Sequence, residues 1–211
     1  MHLGIIPDGG RRWARRQGVS LREAYETTFE KLGSAIELAF AAQFDELSIY
    51  LLSKGNLARP ADDLDALYAA LPRLDQILTD ALNAGVCRGV HVAGRPEQLP
   101  IAGVFSRCTN LVPDRPLGPS LNLLLAYDAI DELNAAFRTG GPDTWRDFLW
   151  VRSPLDAVIR TGGAPLFSGF LPLQSQYAHL LVVEELFNDV DDRALEALIV
   201  RARSVEHRFG L

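Results

Sequence analysis

A chain of 211 residues that is 48% hydrophobic and 23% charged holds enough apolar material for one α/β domain with a sizeable core, and is short for two. Its formal net charge of −6 argues against a general nucleic-acid binder, which needs a basic face. Local arginine clusters in such a chain point instead to small anionic ligands.

Taken from the start, the apolar run Leu3–Pro7 reads as a buried strand and leads directly into Asp8-Gly9-Gly10-Arg11-Arg12-Trp13 at a helix start. This turn suits a diphosphate with a divalent cation. The glycines let backbone N–H groups approach phosphate oxygens, the helix start adds partial positive charge, and the arginines offer forked donors. Asp8 is the hard oxygen ligand that Mg²⁺ prefers, with the remaining positions left to water and phosphate. Ser20 reads as an N-cap with Glu23 completing a capping box; Ala24, Phe29, Leu32, Ile36 and Phe40 run along one side of a helix that ends near Gln43. A second strand, Glu46–Leu52, opens into Ser53-Lys54-Gly55-Asn56 and Arg59-Pro60. The stretch from Asp62 to Asn83 repeats leucines at spacings of three and four, with Pro72 in the middle, where it removes a backbone donor and is expected to bend the helix. An apolar space between two such helices would take a hydrocarbon tail.

Further strands are expected at Gly89–Ala93, Leu121–Ala126, Ala157–Arg160 and Leu180–Glu184, with helices at Asp128–Phe137, Asp143–Trp150 and Asp191–Arg208. The strands are apolar throughout, as when helices cover both faces of a mainly parallel sheet. The expected fold is therefore a single α/β domain spanning residues 1–211, with a six-stranded mainly parallel sheet flanked by helices. Ligands gather at the carboxyl ends of such strands. The polar runs after the first, second and fifth strands, the last being Arg160-Thr161-Gly162-Gly163, should converge there as a cationic mouth above an apolar interior. Cys87 and Cys108 lack metal-ligand spacing, no secretory signal precedes the first strand, and no apolar run reaches the roughly 18 residues a spanning helix needs. These features predict a cytoplasmic protein with reduced thiols, no zinc site and no stable membrane insertion.

The pattern resembles the cis-prenyltransferase family, typified by undecaprenyl diphosphate synthase. His2, Ile5-Ile6, Asp8-Gly9 and Arg12-Trp13-Ala14 are in register with the family's first motif. Ser53, Asn56, Arg59 and Pro60 echo the second, Ile159 through Gly163 with Ser168 and Phe170 match the third, and Arg208-Phe209-Gly210 matches the closing one. The resemblance runs end to end and implies a parallel-sheet butterfly homodimer using Mg²⁺ and isoprenoid diphosphate substrates. Several departures are similar to the branch making irregular, head-to-middle products, the cyclolavandulyl and lavandulyl-type diphosphate synthases. Gly10 replaces an Asn; Leu21 and Tyr25 stand where an Arg and a His help hold the allylic diphosphate. Gly55 and Leu57 replace a Glu and a Trp, while Ala164 and Leu166 replace a Glu and an Arg. His179 stands where the family has a Glu that helps bind Mg²⁺ across the dimer, and the roles of metal ligand, base and plain hydrogen-bond donor are all open to it.

What the resemblance implies is an irregular isoprenoid diphosphate synthase joining dimethylallyl or geranyl diphosphate to a second isoprenoid diphosphate. Asp8 is expected to hold Mg²⁺ on the leaving diphosphate, with Asn56 and Arg59 as catalytic partners and Gly9, Gly10, Arg11 and Arg12 around its oxygens. Arg160, Ser168 and Arg208 are expected at the second diphosphate, and Trp13, Tyr25, Leu67 and Leu71 along the hydrocarbon pocket. Three other readings stay open: ordinary head-to-tail elongation to a short cis-prenyl diphosphate, a non-catalytic subunit of an active prenyltransferase, and a generic phosphate-binding domain.

Overall fold

The computed structural model describes residues 1–101, 103–105 and 118–205. The expectations placed on Cys108 and on Arg208-Phe209-Gly210 lie outside them. Six strands form one sheet in the order β3-β4-β2-β1-β5-β6: β1 His2–Ile6, β2 Glu46–Ser53, β3 Gly89–Gly94, β4 Ser120–Tyr127, β5 Ala157–Arg160 and β6 His179–Val182. Every neighbouring pair is parallel, with Ile6 opposite Arg160 and Arg160 opposite Val182. The mainly parallel expectation thus becomes an all-parallel one. Strand ends shift by one or two residues from the sequence reading; the largest shift is at β6, which stops at Val182 instead of Glu184.

Helices α1 Gly10–Gln17, α2 Leu21–Ala41 and α3 Ala61–Asn83 follow β1 and β2. The expected capping box is formed: Ser20 accepts from the Glu23 N–H and the Glu23 carboxylate accepts from the Ser20 N–H, closing two of the donors a helix start leaves open. Helix α3 continues through Pro72, an exposed position where the ring removes the N–H that would bond the carbonyl one turn earlier. Gly33 lets α2 and α3 approach closely, since a Cβ there would lie 3.1 Å from Ile77. Together with α5 (Asp192–Arg203), these helices cover one sheet face, where Leu3, Ile5, Leu47, Ile49, Leu123 and Ile159 join Phe29, Leu32 and Leu71 in the main apolar cluster.

The other face carries a smaller cluster around Leu124, Tyr127, Val158 and Phe170. Gly4 is tight against it, because a Cβ would stand 2.6 Å from the Phe170 ring. Helix α4 (Ala129–Thr144), capped by Asp128, follows β4. The separate helix expected at Asp143–Trp150 is present as a shorter piece: Gly141, at φ 67°, kinks α4 and divides it into two helices, and the second, with Pro142 in its first turn, is helical to Thr144 and continues as a 3₁₀ turn at Trp145–Phe148. The last helix also ends sooner than expected, at Arg203 instead of Arg208, with Ser204 as its cap. Among the described residues no helix is long and apolar enough to cross a membrane.

Candidate active site

Strands β2, β1 and β5 are neighbours in the sheet, so the loops leaving their carboxyl ends meet. Asp8 follows β1 and is tied into place by its backbone. Its N–H donates to Thr161 Oγ1 at 3.0 Å, its carbonyl accepts from the Thr161 hydroxyl at 3.0 Å, and the same carbonyl accepts from the Phe187 N–H at 3.0 Å. The carboxylate faces two guanidinium groups: Arg160 Nη2 donates to Oδ2 at 3.0 Å, and Arg12 Nη2 stands 3.6 Å from Oδ1. Arg12 also donates to the Gly162 carbonyl at 3.1 Å. Thr161, quoted in the sequence only as part of a motif, is thus the residue that locks the first loop to the fifth strand.

Arg160 is almost wholly buried and engaged on several sides. One end of its fork meets Asp8; Nη1 donates to Ser168 Oγ at 2.7 Å and to the Leu166 carbonyl, while Nε has no partner. Ser168 holds a left-handed φ of 51°, placing its hydroxyl on that arginine. The pair expected at a second diphosphate is therefore joined to Asp8 in one network. Gly162 and Gly163, both left-handed, donate their N–H groups to the Glu185 and Val183 carbonyls at 2.7 and 2.9 Å. These bonds stitch the β5 loop to the segment after β6. A Cβ on Gly163 would run into the Glu184 carboxylate, an acid at the rim that sequence reading did not single out.

Helix α1 begins without a side-chain cap. Gly9, at φ 117°, is its N-cap, and the first main-chain bond inside it runs from the Trp13 N–H to the Gly9 carbonyl at 2.8 Å. The N–H groups of the preceding turn have no intrahelical acceptor, as at any helix start. A Cβ on Gly9 would press on Leu186 at 2.8 Å, so this turn demands glycine for both its conformation and its space.

A second group of side chains lies on the α2 side of the same turn. Tyr25 places its ring against Gly10, at 3.9 Å from where a Cβ would be. After β2, a 3₁₀ turn at Lys54–Ala58 presents Asn56, whose N–H is held by Ser53 Oγ at 3.2 Å and whose Oδ1 accepts from Arg59 Nη2 at 2.7 Å. Arg11 pairs with Asp63 at the start of α3, at 3.3 Å. Burial, the largest influence on each, pushes the Tyr25 hydroxyl pKa up and the Arg59 guanidinium pKa down.

Other expected site residues lie elsewhere. Trp13 belongs to neither apolar cluster; its indole N–H donates to Asp189 Oδ1 at 3.0 Å, beside an Arg16–Asp189 pair. Leu67 and Leu71 are packed into the main cluster, at 2% and 0% exposure. His179 begins β6 opposite Ala157, whereas Asp8 lies beyond the far ends of β1 and β5. Three residues of strand alone separate those levels by about 10 Å, so His179 cannot share a metal with Asp8 of its own chain. His2, although part of the first motif, is likewise at the amino end. Its Nε2 meets Ser48 Oγ at 2.8 Å and its Nδ1 the Ser153 carbonyl at 3.2 Å, and burial lowers its pKa.

Comparison with known proteins gives this geometry a family. Residues 6–210 match the model described as putative undecaprenyl diphosphate synthase. An isoprenyl transferase of Campylobacter jejuni is 25% identical, over 99% of this chain and 97% of its own length. Isoprenyl transferase 1 of Bradyrhizobium diazoefficiens is 30% identical over 100% of this chain and 89% of its own. Among solved structures, lavandulyl diphosphate synthase from Lavandula x intermedia, in complex with dimethylallyl diphosphate, shares the fold with a TM-score of 0.86 at 22% identity, covering 100% of this chain and 98% of that one. The chain belongs to the cis-prenyltransferase family and is a prenyltransferase.

Proposed function

We propose that this prenyltransferase couples an allylic diphosphate, dimethylallyl or geranyl, to a second isoprenoid diphosphate by head-to-middle condensation, giving a branched lavandulyl- or sesquilavandulyl-type diphosphate. The observation that carries the reading is the state of the third motif. Where head-to-tail relatives are expected to place a further arginine for the second diphosphate, this chain has Leu166, 60% exposed, and Arg160 is already engaged by Asp8 and Ser168. An acceptor held less by its diphosphate and more by its hydrocarbon part is free to present an internal double bond. The fold shared with lavandulyl diphosphate synthase is compatible with this reading and does not decide it.

Asp8 is the residue that would hold Mg²⁺. Among the described residues no group of three or more His, Cys, Asp or Glu side chains converges. That fits an ion that takes one carboxylate, keeps water and borrows substrate phosphates. When bound, Mg²⁺ acts as a Lewis acid on the departing diphosphate. The protein's own work is placement and anion stabilisation: the capless start of α1 with Arg11, Arg12, Asn56 and Arg59 surrounds the allylic diphosphate, and Gly10 admits its oxygens to the backbone. The tail extends toward the apolar side of α2 and α3, and the active unit is a homodimer.

Incubation with dimethylallyl, isopentenyl and geranyl diphosphates in all pairs with Mg²⁺, followed by NMR of the dephosphorylated alcohols, tests the reading. A branched skeleton is expected. A linear cis product would return the protein to head-to-tail elongation, and absence of turnover on every pair would leave it a supporting subunit.

A further inference from the structure

The segment that leaves edge strand β6, residues 183–190, runs behind the Asp8 loop. Its Val183 and Glu185 carbonyls accept from Gly163 and Gly162, Leu186 fills the space beside Gly9, and the Phe187 N–H donates to the Asp8 carbonyl at 3.0 Å. Glu184 and Glu185 are exposed, and the segment enters the protein interior at Phe187, Asn188 and Val190. Apolar packing of Phe187 and Val190 holds it there, but such packing has no direction of its own. The directional contact is Asn188, the one buried polar side chain of this segment.

Asn188 closes a ring of hydrogen bonds with α2. Its Nδ2 donates to the Ala24 carbonyl at 3.0 Å, and its Oδ1 accepts from the Thr28 hydroxyl at 2.7 Å; the same hydroxyl lies 2.9 Å from the Ala24 carbonyl. A hydroxyl has a single proton to give, so when it is turned to Asn188 the Ala24 carbonyl is still served by the amide. Burying an amide and a hydroxyl is costly unless both are bonded, and this ring closes at only one setting of the segment against α2. Thr28 is buried as well, and its Oγ1 lies 3.6 Å from where a Cβ on Gly10 would be, which puts the ring directly behind the first residue of α1.

The geometry points to Asn188 as a positioning residue for the condensation: through its ring with Thr28 and Ala24 it sets the Phe187 N–H on the Asp8 carbonyl, and with it the place of the Asp8 carboxylate. This rests on the functional reading above, in which Asp8 works on the leaving diphosphate. Asn188 itself touches no reacting atom. Thr161 ties the Asp8 peptide to β5, and Phe187 fixes the same peptide from the side of β6 and α2. With the second tie loosened, the carboxylate can drift, and a small displacement of a group that acts in the transition state costs rate more than it costs substrate binding.

The test compares Asn188→Ala, Thr28→Val and Thr28→Ser in the full chain. Valine keeps the shape of Thr28 without its hydroxyl, whereas serine keeps the hydroxyl. In the metal-free protein, hydrogen exchange at the Phe187 amide should quicken in the alanine and valine variants by about tenfold more than at the amides of β2, and should stay native in Thr28→Ser. With Mg²⁺ and the pair of isoprenoid diphosphates that the native chain turns over best, kcat should fall about tenfold in the same two variants with KM little changed, and Thr28→Ser should keep the native rate. Should Asn188→Ala not fold, Thr28→Val decides alone. Native exchange at Phe187, or native kcat, in a folded alanine or valine variant overturns the proposal and leaves the site standing. Equal loss in Thr28→Ser and Thr28→Val also overturns it, because the methyl group and not the ring would then be at work. A native chain that releases diphosphate from no pair removes the functional reading, and the role of Asn188 with it.

Discussion

Asp8 shows how one carboxylate can serve the fold and the chemistry together. Its charge is balanced by Arg160 and Arg12, and only Arg160 is deeply buried, with 8% of its side chain exposed. Replacing Asp8 by Asn keeps the backbone bonds to Thr161 and Phe187 but removes the counter-charge of a buried guanidinium. We expect stability to fall by about 1–2 kcal/mol and turnover to drop at least about a hundredfold, measured as the urea midpoint and as diphosphate release; normal turnover in Asp8→Asn would remove the role assigned to it. A different carboxyl gives a pH prediction. Glu132 is 0% exposed and accepts from the Tyr127 hydroxyl at 2.6 Å, the Val151 N–H at 2.9 Å and Gln174 Nε2 at 3.4 Å. Burial outweighs these donors and raises its pKa above the ordinary value of 4.5. A folded-state value above the unfolded one means that the folded protein holds the proton more tightly. The associated stability is therefore full below the ordinary glutamate value and is lost as pH rises through the raised one. Glu132→Gln should flatten this loss as pH rises above the ordinary glutamate value in urea titrations, and an unchanged slope would place the titration elsewhere.

At the level of elements, what was legible in the sequence was whatever depends on local pattern. The capping box at Ser20, the apolar strands and the polar loops behind β1, β2 and β5 need only neighbouring residues to specify them, and they stand where the pattern put them. Side-chain destinations across the fold were not legible. Nothing local says that Arg160 turns to Asp8, 152 positions away, or that Trp13 meets Asp189. Gly141 divides the helical path after β4 in two, as the separate Asp143–Trp150 helix required, but the second piece is short, helical to Thr144 and 3₁₀ from Trp145 to Phe148. Pro72, by contrast, lets α3 run on past it as one stretch. Its ring removes the bond an N–H at that position would make to the carbonyl one turn earlier, and packing of Leu67, Leu71, Leu74 and Leu78 holds the helix despite that loss. Pro72→Ala should restore the bond. Part of the gain is offset by the greater freedom of the unfolded chain, leaving about 1–2 kcal/mol of added stability, read as a higher urea midpoint. A lower midpoint would mean that the proline ring makes contacts that outweigh the missing bond.

For the whole molecule, the two faces of the sheet are finished differently. One is covered by α2, α3 and α5, whereas the other is covered by α4 and the chain around Trp150, Phe167 and Phe170. At the β5–β6 side of the sheet several large apolar groups stay in water: Leu166 at 60%, Tyr177 at 69% and Val182 at 38% exposure. Strand β6 is the edge strand there, and its backbone is open on one side for a further contact. Exposed apolar groups beside an open edge are what an association surface needs, and the homodimer proposed for this enzyme would bury them. A charge placed in that surface would have to be desolvated for association, a cost large enough to outweigh the contacts around it. Val182→Glu lies on an exposed strand position and should leave the monomer folded, with its circular dichroism unchanged. Sedimentation velocity should then show the native chain as a dimer and the variant as a monomer at the same concentration. Loss of turnover in that folded monomer would mean that the partner completes the site, whose Arg160 lies on β5, the strand next to this edge. A native chain that sediments as a monomer would remove the dimer from the proposal and leave the site to be completed within one chain.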